Sequence, residues 1–306
     1  MKKVLVATEK PFAKIAVDGI REVLDKAGYE LLLLEKYKEQ ADLLKAVEEV
    51  DALIIRSDIV DKAVVDAAKN LKIVVRAGAG YDNIDLAACT SKNIVAMNTP
   101  GQNSNAVAEL AIGMMIYMAR NKFDGSSGTE LRDKTLGLHA FGYVGKYVAA
   151  IAKGFNMKIY AFDPFLKKED FEKEGVIPVS SVEELYRSCS YVSLHIPANA
   201  QTKKSIGYDL LKLMPENANL VNTARKEVID EEGLLKIFEE RADFRYMSDI
   251  EPECKDILLE KYAKRVYFTP KKMGAQTEEA NINAGIAAAR QIVNFFEQGD
   301  IRFKVN

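Results

Sequence analysis

The chain has 306 residues, long enough for two domains with separate cores, and carries 43 Lys and Arg against 45 Asp and Glu. A formal net charge of -2 argues against general binding to nucleic acid or anionic membrane, and no apolar run approaches the roughly 18 residues of a membrane span. Cys89, Cys189 and Cys254 lack metal spacing and read as reduced thiols of a cytoplasmic protein, and two histidines are too few for a histidine-based metal site, so no metal is expected.

The N-terminal MKKVLVATEKPF has too short an apolar core for a signal peptide and reads as a first strand. A helix over residues 12–27 closed by Gly28, then ELLLL, completes one unit. A helix over 43–50, the strand ALII, a helix near 61–68, IVVRAG and IVAMN continue it. Short β-rich runs between helical patterns imply a parallel sheet covered on both faces. A helix starting near Asn105, capped by Ser104, runs to Arg120 and is apolar on most faces. It is expected to be buried between domains, with Met114, Met115 and Met118 as core packing rather than ligands. From 135 to 269 the alternation restarts, with strands near LGLHAF, KIYAF, YVSLHI, NLVN, FRYMS and VYFT. A last helix over 278–298, with Thr277 as N-cap and Gly299 past its end, is expected to return the chain to the first domain. The fold class is α/β with two doubly wound parallel-sheet domains, and substrate should meet cofactor in the cleft between them.

The most informative stretch is KTLGLHAFGYVGKYVAAIAKGFNMKIYAFDP, residues 134–164. A strand leads into Ala140, Phe141, Gly142, Tyr143, Val144 and Gly145, then an amphipathic helix, then a second strand ending at Asp163. This is the order of a βαβ dinucleotide site, with the helix N-terminus facing a pyrophosphate and an acidic residue about 20 positions on accepting from a ribose hydroxyl. The pattern GxGxxG keeps its second and third glycines but has Ala140 at the first. That alanine is expected to be tolerated only with negative φ. A carboxylate at Asp163, with no arginine directly after it, favours NAD over NADP.

Four further segments fall in order around this site: RAGAGYDNID (76–85), NTPGQNSNAVAE (98–109), VNTARKEVIDEEGLL (221–235) and TPKKMGAQTEEA (269–280). Together they resemble the D-isomer-specific 2-hydroxyacid dehydrogenases, most closely the D-3-phosphoglycerate dehydrogenase branch. The resemblance implies a flavodoxin-like substrate domain over 1–99 and 277–306 and a Rossmann NAD-binding domain over 100–276. It implies that Arg225 marks the substrate carboxylate and keto site, where a planar guanidinium can bind bidentately. Gly78, Ala79 and Gly80 would offer backbone N–H groups to the carboxylate, Arg56 and Ser57 could reach a phosphate, and Asn103 could help. His195, Ile196 and Pro197 would line NAD, as would Thr223, Ala224 and Asp249. His139, inside a strand, reads as a core histidine.

The resemblance also has departures. Its glutamate before proline is matched by Glu251, although Asp249 lies closer to it than is usual in the family. The histidine after Thr-Pro is absent, and Lys271 or Lys272 stands in its place depending on the direction of counting. A lysine with an ordinary pKa near 10.4 is protonated at neutral pH, so it can act as base only if burial, its lysine neighbour or Arg225 favours the neutral amine. One of the pair is therefore expected to replace the histidine as acid/base, giving an alkaline optimum, with Glu251 beside it. The alternative is that the pair holds a substrate phosphate. A homodimer is expected, and the appended regulatory domains of longer phosphoglycerate dehydrogenases are not. The resulting expectation is NAD-dependent oxidation of D-3-phosphoglycerate to 3-phosphohydroxypyruvate, opening serine synthesis. The rivals are a reductase of hydroxypyruvate, glyoxylate or a related 2-keto acid, and an NAD(H)-sensing binding protein of the corepressor type.

Overall fold

The structure, a computed structural model, describes residues 1–306. The chain forms two compact units, Met1–Asn103 with Gln276–Asn306, and Ser104–Ala275. No helix is long and apolar enough to cross a membrane.

In the first unit, strands β1 (Lys3–Thr8), β2 (Glu30–Glu35), β3 (Ala52–Ile55), β4 (Ile73–Arg76) and β5 (Val95–Asn98) alternate with helices α1 (Lys14–Lys26), α2 (Gln40–Ala46), α3 (Lys62–Ala67) and α4 (Leu86–Ser91). The strands pair in parallel in the order β2-β1-β3-β4-β5, the flavodoxin-like arrangement. Period-two alternation divides each strand between two cores. Leu5, Ala7, Leu53, Ile55 and Val74 face one, and Val4, Val6, Ile54, Ile73 and Val75 the other. Helix α2 begins and ends earlier than the expected 43–50. The N–H of Asp51 donates to Lys3 O at the start of the β1–β3 ladder, so the chain must leave the helix in time to extend. Helix α4, unforeseen in the sequence, is started by Asp85, whose carboxylate accepts from Ala88 N–H.

The second unit starts with α5 (Ser104–Ala119). It continues through β6 (Thr135–His139), α6 (Tyr143–Lys153), β7 (Lys158–Phe162), α7 (Lys168–Glu172), β8 (Ile177–Pro178), α8 (Val182–Ser188) and β9 (Tyr191–Leu194). Then come α9 (Tyr208–Leu211), β10 (Asn219–Asn222), α10 (Glu231–Glu240), β11 (Arg245–Ser248), α11 (Lys255–Tyr262) and β12 (Val266–Phe268). The parallel order is β12-β11-β10-β9-β6-β7-β8, a Rossmann sheet with one added strand. Ser104 is the first residue of α5 rather than its cap. Met114, Met115 and Met118 lie in the core of this unit with Leu136, Leu138, Val148 and Met247. The apolar character of α5 is thus accounted for by burial inside the second unit.

After residue 275 the chain re-enters the first unit as α12 (Glu278–Gln298). Thr277 Oγ1 accepts from Ala280 N–H, Glu278 and Glu279 occupy the first turn, and Gly299 closes the helix at φ 66°. Ala284, Ala288, Ala289 and Ile292 pack with Ala16 and Ile20 of α1. Val305 N–H donates to Ala96 O, and the Asn306 side chain binds Ala96 N–H and Ile94 O. The last residues therefore cover the edge of β5, which would otherwise expose unpaired backbone groups.

Candidate functional site

In the second unit the chain leaves β6 toward β7 and β8 on one side, then crosses to β9 on the other. The carboxyl ends of β6 and β9 mark this switch point, where open parallel sheets bind ligands. Gly142 is the N-cap of α6 and no side chain caps the helix, so its first amides are free to meet an anion. A Cβ built on Gly142 meets nothing within 4 Å, leaving room for a ligand against the backbone. A Cβ on Gly145 would lie 2.7 Å from Ala140 O, so this glycine sets how closely α6 packs on the turn.

Ala140 has φ 79°, which overturns the expectation of a negative angle at this position. The reason lies in its neighbours. Ala140 N–H donates to Phe162 O at 2.9 Å, and Phe141 N–H donates to Asp163 Oδ2 at 2.9 Å. These two bonds to the end of β7 and the residue after it fix the peptide on either side of Ala140 and hold it left-handed. Asp163 Oδ1 accepts from Phe165 N–H at 3.0 Å. A carboxylate has about four acceptor sites, so ribose hydroxyls can still be received. Val144 is half-buried, while the Tyr143 side chain stands exposed on the first turn of α6.

His139 Nδ1 lies 3.3 Å from the Tyr186 hydroxyl, and burial pushes this imidazole down to about 4. Burial, with a smaller contribution from His139, pushes His195 down to about 3. The His195 residue keeps some exposure, but its Nε2 is buried without a hydrogen-bond partner. His195 N–H donates to His139 O at 2.9 Å, which ties the ends of β6 and β9 together. Ile196 is buried and Pro197 exposed. Past β10, the buried Thr223 hydroxyl is likewise unpartnered, with Ala224 buried beside it. Open space at Gly142, uncapped amides on α6, a carboxylate at Asp163 and unpartnered polar atoms at Thr223 and His195 together fit a dinucleotide.

Further along the same sheet edge, Asn222 shapes the turn after β10. Its Oδ1 accepts from Ala224 N–H at 2.9 Å, and its Nδ2 donates to Arg225 O at 3.0 Å. Arg225 is half-buried and donates from Nη1 to Ala224 O. After β11, Glu231 accepts from Glu253 and Cys254 N–H at 2.8 and 2.7 Å and so fastens the loop that carries Glu251. Glu251 pairs with Lys255 at 2.6 Å, one turn on. Glu231 and Lys255 were missed in the sequence. Lys255 had a signal in its i,i+4 spacing from Glu251, whereas Glu231 had none, since its partners lie more than 20 residues away. Asp249 is 1% exposed and accepts from Thr269, Met273 and Gly274. Lys271 and Lys272 are both exposed, so the burial invoked to neutralise them does not apply. All three cysteines are buried. Burial raises the Cys89 thiol to about 11 and those of Cys189 and Cys254 to about 12, which leaves them inert at neutral pH.

In the first unit, Arg56 follows β3 with Ser57 exposed beside it. Its Nη1 donates to Lys10 O, its Nη2 to Asn281 Oδ1, and the guanidinium lies 5.1 Å from the Phe12 ring centre. Asp58, 3% exposed, accepts from the N–H groups of Glu9 and Arg56 and from the Tyr37 hydroxyl. Arg56 is therefore held by structural bonds, and only its remaining N–H groups can meet a ligand. Gly78, at φ 149°, donates its N–H to Arg76 O at 2.9 Å, so this amide is already engaged. A Cβ there would lie 1.5 Å from Arg76 Nη1, so that guanidinium would have to move, and the positive φ strains any L side chain at this position. The N–H groups of Ala79 and Gly80 remain, on a loop pinned by Asn98 Nδ2 donating to Ala79 O. Asn103 is half-buried just ahead of α5.

The chain is 50% identical to the NAD+-bound 3-phosphoglycerate dehydrogenase of Entamoeba histolytica, over 100% of this chain and 98% of that one, with a TM-score of 0.87. It is 34% identical to a hydroxypyruvate reductase of Thermotoga maritima, over 89% of this chain and 96% of the relative. It is 36% identical to a D-3-phosphoglycerate dehydrogenase of Methanocaldococcus jannaschii over 90% of this chain, but spans only 55% of that relative's length. Residues 107–271 match the family described as D-isomer specific 2-hydroxyacid dehydrogenase, NAD binding domain. With these matches and a Rossmann switch point built for a dinucleotide, the chain belongs to the D-isomer specific 2-hydroxyacid dehydrogenase family.

Proposed function

We propose that this protein oxidises D-3-phosphoglycerate to 3-phosphohydroxypyruvate. The observation that carries the reading is the 50% identity, over nearly the full length of both chains, with the Entamoeba histolytica 3-phosphoglycerate dehydrogenase. NAD supplies the hydride acceptor. Arg225 binds the substrate carboxylate and polarises the oxygen that becomes the carbonyl. The hydroxyl proton passes to the amine of Lys271 or Lys272, which, being exposed, becomes available as a base as the pH rises. Glu251 shares Oε1 with Lys255 and keeps Oε2 for a second cation. The amides of Ala79 and Gly80, with Asn103, Arg56 and Ser57, supply donors to the substrate anions. The first unit is the substrate-binding domain, and the working form is a cytoplasmic homodimer.

NADH formation tests this on D-3-phosphoglycerate, D-lactate, D-glycerate and 2-hydroxyglutarate, with NAD and NADP, at neutral and alkaline pH. We expect turnover with NAD on phosphoglycerate, rising with pH. Of Lys271→Ala and Lys272→Ala, one should lower kcat by about a hundredfold or more, the scale of general acid–base catalysis. Near-full turnover in both variants would end the lysine mechanism. A second reading, reduction of hydroxypyruvate or a related 2-keto acid, is favoured by the Thermotoga maritima relative that the chain matches almost end to end. Stronger activity on the unphosphorylated acids would select it.

A further inference from the structure

The lysine pair sits on a short excursion that closes, at both ends, on one buried anion. Asp249 Oδ1 accepts from the Thr269 hydroxyl at 2.9 Å and from Met273 N–H at 2.8 Å. Asp249 Oδ2 accepts from Gly274 N–H at 2.8 Å. Thr269 precedes the lysines and the other two donors follow them, so Pro270, Lys271 and Lys272 form a loop strapped across a single carboxylate. Asp249 is itself fixed by its N–H, which donates to Asn222 O at 3.0 Å. Gly274 packs tightly against the same group, since a Cβ there would lie 3.0 Å from Asp249 Oδ2 and 3.3 Å from Val107. The residue before the loop and the two that close it are held, while the lysine side chains are exposed.

We propose that Asp249 is a positioning residue that fixes where Lys271 and Lys272 can reach. The family resemblance would make Asp249 a cofactor contact. The geometry gives it an acceptor role toward its own chain that already fills three of the roughly four sites of a carboxylate. At most about one donor from a bound dinucleotide could be added. The charge is essential to the device. An amide at this position has one oxygen for three donors and would turn its own N–H groups toward an N–H. The catalytic consequence rests on the reading that one of these lysines takes the substrate proton, but the anchoring does not.

The test is Asp249→Asn in the full chain, read by amide hydrogen exchange, by kcat, and by the Kd of NAD. We expect the Met273 and Gly274 amides to exchange about tenfold faster or more, as befits loss of charge-assisted bonds, with the amides of β12 unchanged. The value of kcat should fall by about tenfold or more, while the Kd of NAD moves by less than about twofold. Thr269→Val, which removes only the hydroxyl donor, should shift exchange in the same direction by less. The double variant should exceed the larger single effect little, because both changes break one network. Unchanged exchange in either single variant overturns the anchor, as does weaker NAD binding with the loop amides still protected. Faster exchange with an unchanged kcat upholds the anchor and counts instead against the lysine mechanism.

Discussion

Ala140 holds a backbone conformation that its methyl group disfavours. For an L-residue the left-handed region costs about 1–2 kcal/mol, while replacing alanine by glycine frees the unfolded chain by about 0.4–1 kcal/mol. The first effect exceeds the second, so Ala140→Gly should stabilise the protein by a few tenths to about 1 kcal/mol, read as a higher urea midpoint with an unchanged slope. A lower midpoint would mean that the turn is not strained. The sequence at this scale revealed which residues stand at the turn but not their angles. The angle at Ala140 is set by Phe162 O and the Asp163 carboxylate, more than 20 residues away. The same holds for Asp249 and Glu231, whose acceptor roles depend on donors brought from other loops. Asp163 was legible as an acid at a strand end, because its residue type and its place just after β7 are local properties of the chain.

At the scale of elements, α12 was read from its sequence because its signals are local. Thr277 binds Ala280 N–H three residues on, and Gly299 ends the helix in the left-handed conformation. Thr277→Ala should cost about 0.5–2 kcal/mol, and Gly299→Ala about 1 kcal/mol. Thermal unfolding of the two variants checks this, and no loss in either would show that tertiary packing of α12 outweighs its caps. Strand β8 escaped notice because two residues, Ile177 and Pro178, carry no period to detect. Helix α2 was displaced because the helical pattern runs on into Val47 and Val50, both buried in the core after the helix has ended. A buried apolar residue in a turn looks, in sequence, like one on a helix face.

For the whole molecule, two neutral histidines buried at one switch point link stability to pH. Burial holds His139 at about 4, below the ordinary value of about 6.5 that it regains on unfolding. Its neutral form is favoured by the fold, so its contribution is fully present above pH 6.5 and is lost as the pH falls toward 4. At pH 5 the loss is about 2 kcal/mol for His139 alone, with His195 acting in the same direction. Urea midpoints between pH 7 and 5 should fall accordingly, and less steeply in His139→Phe. A flat profile in the native chain would show that these imidazoles stay hydrated. The sequence by itself determined the alternation of strand and helix, the βαβ turn, the acid at Asp163 and the order of motifs, because period, glycine placement and residue chemistry are local properties of a chain. Only the tertiary structure decided that the five strands lie in the order β2-β1-β3-β4-β5, that Gly78 N–H is already engaged, and that the lysine loop is strapped to Asp249. Each of these depends on hydrogen bonds between residues far apart in sequence, whose partners exist only once the sheets have formed.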